Sequence, residues 1–120
     1  MPAALDLFGL TRLAKPLSPE EGYKILERDR YRCQYCGLDG MSSFENFLAM
    51  SVDFVIPRAR KGKKEASNLV AACRPCNLIK GSRVFKNFEE AKNYVLDQRG
   101  KLRQDWEARM SKMRTRPATA

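Results

Sequence analysis

Apolar residues recur along the chain in two periods, and the longer period predicts a helix near each end. The first helix begins with Ser18 as its N-cap and Pro19 at the first helical position, and it runs to about Asp29. The last third of the chain predicts one long helix that Asn87 caps, with apolar residues three and four positions apart. Gly100 interrupts this pattern at a cost of about 1 kcal/mol relative to alanine, so we expect a weak point or a kink there.

Between these two helices, the pattern predicts a β-hairpin with a short helix on either side. The helix before the hairpin is capped by a serine, and its large apolar residues should pack inward. Those residues are Phe44, Phe47 and Leu48. β-Branched and aromatic residues in segment 50–56 favour a strand, and segment 68–72 favours the returning strand of an antiparallel pair. A second short helix should follow over about residues 75–81.

The length of 120 residues is typical of a single domain. We expect an N-terminal arm over residues 1–17, a domain with its long helix over residues 18–112, and a flexible basic tail over residues 113–120. The apolar side chains of the arm can dock on the domain. The first residues carry no basic segment, and no apolar stretch is long enough to span a bilayer. The sequence therefore predicts neither a secretory signal nor a membrane partner.

The four cysteines form two Cys-x-x-Cys pairs, Cys33 with Cys36 and Cys73 with Cys76. Two thiol pairs at this spacing favour a tetrahedral structural Zn²⁺ site. Two disulfides and a rubredoxin-like iron site are the alternatives for the same residues. Because the sequence predicts no secretory signal, we expect a reducing compartment, the cytoplasm, and this favours a metal over disulfides. One pair should lie in a turn and the other at a helix start, the zinc geometry called a treble clef.

The charge of the chain favours a polyanionic partner. Lys and Arg number 23 against 14 acidic residues, for a formal charge of +9. Segment 58–64, called the basic loop below, holds five of these charges around a glycine: Arg58, Arg60, Lys61, Lys63 and Lys64. It can be a solvated charge run or a localisation-type patch. Its position close to Asp53 favours a loop that holds phosphates.

Four elements of the chain, in order, resemble the HNH endonuclease family of the four-cysteine type. They are the first cysteine pair, residues 52–58, residues 68–70, and the second cysteine pair followed by Asn77, Lys80 and Gly81. The resemblance covers about residues 22–83. It implies an α+β fold, the ββα-metal finger, braced by the zinc site and flanked here by an N-terminal helix and a long C-terminal helix.

The resemblance also assigns roles to individual residues. Asp53 matches the acidic ligand of a divalent cation, Mg²⁺ or Mn²⁺, and Asn77 matches the second ligand. Asn68 matches the asparagine that ties down the loop and helps to orient the catalytic base. The implied partner is nucleic acid, and we expect double-stranded DNA held by backbone contacts with little sequence preference. The expected nucleic-acid contacts are Arg58, Arg60, Lys61, Lys63, Lys64, Lys80 and Arg83.

Phe54 stands where the family carries its histidine base, and the chain contains no histidine. Loss of a general base typically costs ~10²–10⁴ in rate. Three interpretations are open: a nuclease that binds nucleic acid and cuts slowly or not at all, an active enzyme that uses metal-bound hydroxide or another base such as Lys80, and an engineered substitution. Two other protein classes compete with these, a non-catalytic zinc module that holds nucleic acid and a four-cysteine iron electron carrier.

Overall fold

A computed structural model describes residues 15–118, which form an α+β arrangement around a two-stranded sheet. The elements are α1 (Pro19–Arg28), α2 (Phe44–Leu48), β1 (Met50–Phe54), β2 (Leu69–Cys73), α3 (Arg74–Lys80) and α4 (Phe88–Arg114), with single 3₁₀ turns at Arg58–Arg60 and Ala66–Asn68. Most of the expected N-terminal arm, residues 1–14, and the last two residues of the tail lie outside the described residues. Within residues 15–118, no helix is both long and apolar enough to cross a membrane.

The start of α1 confirms the predicted cap. The Ser18 hydroxyl accepts a hydrogen bond from the Glu21 amide at 3.2 Å, and the Glu21 carboxylate accepts one from the Ser18 amide at 2.9 Å. This reciprocal pair satisfies two backbone donors and fixes the direction in which the chain enters the domain. Ile25 and Leu26, on the opposite end of the helix, are buried.

The end of α1 holds the outer edge of the hairpin. Arg28 donates to the carbonyl oxygen of Leu69 at 2.6 Å, and the Asp29 carboxylate accepts from the amide of Ala71 at 2.8 Å. On the same strand, the Ala71 carbonyl accepts from the amide of Gln34, which lies inside the first cysteine pair. Because these groups occupy backbone positions that a neighbouring strand would otherwise use, the short sheet has a protected edge.

The hairpin of β1 and β2 is antiparallel, as predicted, with Asp53 opposite Val70 and Phe54 opposite Leu69. Successive side chains of a strand point to opposite faces, so Ser51 and Asp53 share one face of β1. The other face meets α1, where a small buried cluster forms from Leu26, Met50 and Ala71. The long connection between the strands carries the basic loop.

The packing of α2 differs from the prediction. Phe44, Phe47 and Leu48 were expected to pack inward, but their exposed fractions are 68%, 36% and 46%. The buried cluster next to β1 consists of Leu26, Met50 and Ala71, and none of these residues comes from α2. The aromatic rings of α2 therefore lie along the surface, where Phe47 contacts Tyr31 with ring centroids 6.0 Å apart.

The long helix α4 covers the cysteine cluster with its first half only. Asn87 caps it as predicted, accepting from the Glu90 amide at 2.9 Å. Ala91 and Val95, one helical turn apart, are fully buried against the cluster. The helix continues through Gly100 and ends at Arg114, two residues beyond the predicted boundary at residue 112. Most residues after Gly100 are exposed.

Candidate functional site

The four cysteines converge on one point, as the spacing predicted. Their sulfur atoms all lie within 4.8 Å of one another, and those of Cys36 and Cys73 are 3.7 Å apart. Four Zn–S bonds of about 2.3 Å in a tetrahedron place the sulfurs roughly 3.8 Å apart, so the cluster matches the dimensions of a zinc site. All four thiols are free of disulfides. Cys33 and Cys36 lie in a turn, whereas Cys73 and Cys76 flank the start of α3.

The electrostatics of the cluster favour a bound cation. Contacts with the other three thiols lower the pKa of Cys33 and raise the pKa of Cys76. Four thiolates this close repel one another, and a divalent cation that binds them removes that repulsion while protons leave. Arg99 of α4 adds a positive charge beside the cluster, donating to the sulfur of Cys76 at 3.6 Å. The long helix therefore contributes to this centre by charge as well as by packing.

Asp53 is buried, with 4% of the residue exposed, and protein groups contact both of its carboxylate oxygens. The hydroxyl of Tyr35 donates to Oδ2 at 2.5 Å. The ammonium of Lys80 lies 3.4 Å from Oδ1 and donates to the backbone carbonyl of Phe54 at 3.1 Å. Burial raises the pKa of Asp53, and the opposing influence of Tyr35 and Lys80 only partly offsets that effect.

Asn77 lies on the helix that faces this carboxylate. Its side-chain amide donates to the Ser51 hydroxyl at 3.4 Å. Ser51 and Asp53 are two residues apart on β1, and Asn77 and Lys80 are three residues apart on α3, so two strand side chains meet two helix side chains. Carboxylate and amide oxygens suit a hard divalent cation in kind, although Lys80 already pairs with the carboxylate. The metal-ligand roles of Asp53 and Asn77 stay predictions.

Asn68 is buried and ties the two ends of the loop together. Its amide nitrogen donates to the carbonyls of Ile56 and Lys63 at 3.1 and 3.0 Å, and its oxygen accepts from the Ile56 amide at 2.8 Å. Phe54, at the end of β1, is partly buried. Its side chain offers no group that can accept a proton. The predicted part of Asn68 in orienting a base stays a prediction.

The basic loop is tightly folded at its glycine. A Cβ atom on Gly62 would lie 1.6 Å from the carbonyl oxygen of Ile56, so only glycine fits this position. Lys61, just before it, adopts a left-handed backbone with φ of 66°. The side chains of Arg60, Lys61 and Lys63 are exposed at this turn. The turn therefore presents closely spaced cations on a defined backbone.

The remaining predicted nucleic-acid contacts have different surroundings. Lys64 forms an ion pair with Glu21 of α1 at 3.0 Å. Arg83 lies over the ring of Tyr94, 5.0 Å from its centroid. Arg60 donates to the carbonyl of Ser82 at 3.3 Å, which brings the basic loop next to Arg83. The role of these side chains in binding nucleic acid stays a prediction.

Lys80 corrects the sequence prediction. We expected it to contact nucleic acid, but its side chain is 0% exposed and lies between Asp53 and the Phe54 carbonyl. A buried ammonium is costly unless it is paired. Lys80 faces the carboxylate of Asp53 from α3, and this carboxylate supplies the partner. Lys80 has no access to a phosphate in this arrangement.

Tyr35 is the residue that sequence reasoning missed. It lies between Cys33 and Cys36, is 2% exposed, and packs its ring against Phe88 with centroids 5.1 Å apart. Its hydroxyl links the cysteine cluster to Asp53 directly. An aromatic residue with a polar tip inside a metal-binding turn was the available signal, because a buried tyrosine hydroxyl usually finds a partner.

Comparison with known proteins finds similarity in this region. Residues 33–83 match the family model described as HNH endonuclease. The chain is also similar to the CRISPR-associated endonuclease Cas9 of Corynebacterium diphtheriae, with 36% identity over 64 residues, which is 52% of this chain and 5% of that protein. It thus spans about one-twentieth of the length of this curated relative. No solved structure gave a match. The matched segment has mixed α and β structure, and its four cysteines are placed for a zinc site.

Proposed function

We propose that this protein is an HNH-type nuclease domain that binds double-stranded DNA and hydrolyses phosphodiester bonds slowly, because Phe54 replaces the base. One observation carries the proposal. The hairpin–helix unit of the HNH segment turns Ser51 and Asp53 toward Asn77 and Lys80, and the basic loop joins the two strands of the same hairpin.

Binding follows from the basic surface. Arg60, Lys61 and Lys63 are exposed on a turn whose backbone is fixed by Gly62 and Asn68. Cations held at fixed positions neutralise phosphates and release counterions, which gives affinity with little dependence on base sequence. A net charge of +9 adds long-range attraction.

Hydrolysis needs a cation, a water nucleophile and a proton acceptor. In this proposal, Asp53 and Asn77 hold Mg²⁺ or Mn²⁺, which when bound supplies Lewis-acid stabilisation of charge on the phosphoryl oxygens. Asn68 fixes the backbone that leads away from Phe54. The phenyl ring of Phe54 takes no proton from water, so the reaction loses roughly 10²–10⁴ in rate relative to a histidine at that position.

The second candidate function is a non-catalytic module that holds nucleic acid. A specific observation favours it: both carboxylate oxygens of Asp53 already have protein partners in Tyr35 and Lys80. In that case the cysteine cluster and basic loop serve binding alone. The two candidates share the same partner, but the non-catalytic module holds no second metal and does not cleave.

The binding proposal is tested by fluorescence anisotropy on a labelled 20-base-pair duplex over a range of salt concentrations. Lys61→Gln with Lys63→Gln should reduce the slope of log affinity against log salt by about 0.9 for each phosphate that is no longer neutralised. The matched control, Lys101→Gln with Lys112→Gln, removes the same charge from exposed positions of α4. An equal reduction in both double variants would contradict a role for the basic loop.

The cleavage proposal is tested by nicking of supercoiled plasmid in Mn²⁺ and Mg²⁺. We expect slow nicking by the unmodified protein and its loss in Asp53→Asn, which keeps the shape of the side chain. Binding without any metal-dependent nicking would select the non-catalytic module. Nicking that survives Asp53→Asn would show that the assignment of Asp53 is wrong.

We also propose Zn²⁺ as the metal of the cysteine cluster and the cytoplasm as its location. Four thiols free of disulfides within 4.8 Å are expected where thiols stay reduced. A colourless preparation with one Zn²⁺ per chain would support this metal. A red protein that contains iron would contradict it and favour an electron carrier.

A further inference from the structure

Lys80 forms a buried ion pair with Asp53, the residue that we assign to the cation site. What we infer from this pair rests on the function proposed above. Lys80 is fully enclosed, and its ammonium contacts an Asp53 oxygen at 3.4 Å and the Phe54 carbonyl at 3.1 Å. No described buried side-chain nitrogen or oxygen lacks a partner, so this network is complete without any added ion. The domain thus carries a positive charge of its own at the carboxylate that the proposed divalent cation needs.

We propose that Lys80 is an internal counterion that competes with the divalent cation for Asp53 and keeps the affinity of this site low. A cation that binds Asp53 must share its carboxylate with the ammonium, or the ammonium must move away from it. Both arrangements are unfavourable, because like charges repel strongly where water is excluded. Lys80 acts through Asp53 and touches no substrate, so it is a positioning residue.

Changes at Tyr35 distinguish an effect of the Lys80 charge from an effect of hydrogen bonds that occupy the Asp53 carboxylate. Tyr35 donates to the other oxygen of the same carboxylate at 2.5 Å, but it carries no charge. If the carboxylate is unavailable only because hydrogen bonds occupy it, removal of the Tyr35 hydroxyl should improve cation binding as much as removal of the Lys80 ammonium. If charge is the cause, only changes at Lys80 should improve it.

The test is direct binding of Mn²⁺, measured by electron paramagnetic resonance of the free ion, on protein whose cysteine cluster is loaded with Zn²⁺. This readout does not depend on cleavage. Lys80→Met removes the charge at similar length, and Lys80→Gln removes the charge while keeping a donor for the Phe54 carbonyl. Two neutral variants keep the test usable if one of them does not fold, which zinc content and cooperative unfolding will show.

We expect both Lys80 variants to bind Mn²⁺ at least about tenfold more tightly than the unmodified protein, because one repelling charge is gone. Tyr35→Phe should show no such gain, since its ring still packs on Phe88 and only an uncharged donor is removed. Asp53→Asn, alone or combined with Lys80→Met, should bind Mn²⁺ more weakly than the unmodified protein.

The outcomes separate the two claims. If the Lys80 variants bind Mn²⁺ no more tightly than the unmodified protein while Asp53→Asn loses binding, the competition is refuted and the proposed cation site stands. An equal gain in Tyr35→Phe also refutes competition by charge. If Asp53→Asn changes nothing, or if neither the unmodified protein nor the Lys80 variants bind Mn²⁺, both the cation site and the competition are wrong.

Discussion

The cysteine cluster and the site around Asp53 share the hairpin and α3, although two of the four cysteines come from the preceding turn. Their chemical requirements differ. The cluster brings four like groups together, and Arg99 is the cation that donates to one of its sulfur atoms, that of Cys76. Asp53 instead has a cation and a hydroxyl group from its own chain. We therefore expect the cysteine cluster to depend on an added metal for its stability, and the Asp53 site to be stable without one. The difference indicates that metal removal will affect the fold mainly through the cysteines.

The largest effect is expected when the cysteine cluster loses its metal. Cys76→Ser, or chelation of the unmodified protein, should abolish cooperative unfolding, because structural zinc contributes about 10–16 kcal/mol in zinc-finger peptides and whole domains are stable by only about 5–15 kcal/mol. Circular dichroism and differential scanning calorimetry measure this. Asp53→Asn, by contrast, should keep the Zn²⁺ and a cooperative transition, although at a lower free energy of unfolding because the buried Lys80 loses its counterion. A cooperative transition in metal-free protein would contradict this account.

Tyr35→Phe removes the hydrogen bond that joins the first cysteine pair to Asp53. Loss of the hydroxyl leaves a buried carboxylate with one fewer donor, which should lower the free energy of unfolding by about 1–3 kcal/mol. The zinc content should stay the same, because the cysteines and the ring packing are untouched. Tyr94→Phe, in a ring that packs on Phe85, is the matched control. Equal destabilisation by both changes in urea denaturation would indicate that the Tyr35–Asp53 bond contributes nothing specific.

The shape of the basic loop is tested at its glycine. In Gly62→Ala the added Cβ would collide with the backbone oxygen of Ile56, so the turn must open, at a cost of roughly 1–3 kcal/mol. Affinity for duplex DNA should fall although the charge is unchanged, and anisotropy measures this. An alanine variant with unchanged stability and unchanged affinity would show that the loop adjusts freely.

Gly100 of α4, unlike Gly62, has room for a side chain. A Cβ on Gly100 would meet no atom within 4 Å, and the position is helical and exposed. Gly100→Ala should therefore raise the free energy of unfolding by about 0.5–1 kcal/mol, because alanine loses less backbone entropy on helix formation. Chemical denaturation measures the gain. Destabilisation instead would mean that the expected kink at this residue is needed.

The smallest effect concerns acid stability at the cap of α1. Hydrogen bonds from the Ser18 backbone, together with contacts to Lys64, lower the pKa of Glu21 to about 2. A carboxylate whose pKa is lower in the folded state adds stability above its unfolded pKa of about 4.5, and this contribution disappears as pH falls toward 2. Glu21→Gln should be less stable than the unmodified protein at neutral pH, and the difference should shrink below about pH 4.5. Glu20→Gln serves as the control in the same turn.

The features predicted from the sequence are those that local rules determine. The cysteine spacing, the caps at Ser18 and Asn87, and the hairpin depend on neighbouring residues or on ligand type alone. The surroundings of Asp53 depend on residues far apart in the chain. Tyr35 is 18 residues away from Asp53, and the Lys80 ammonium contacts the Phe54 carbonyl across 26 residues. The exposure of Phe44 likewise depends on which other side chains form the core. A lysine at a helix end usually lies in solvent, so its burial required the tertiary structure.

The plasmid-nicking rate of Phe54→His at saturating Mn²⁺ decides whether one side chain limits the nuclease activity that we propose. We predict a rate on the order of 10²-fold or more above that of the unmodified protein, and loss of that gain when Asp53→Asn is added. An unchanged rate in a folded, zinc-loaded Phe54→His protein that still binds DNA would contradict this prediction.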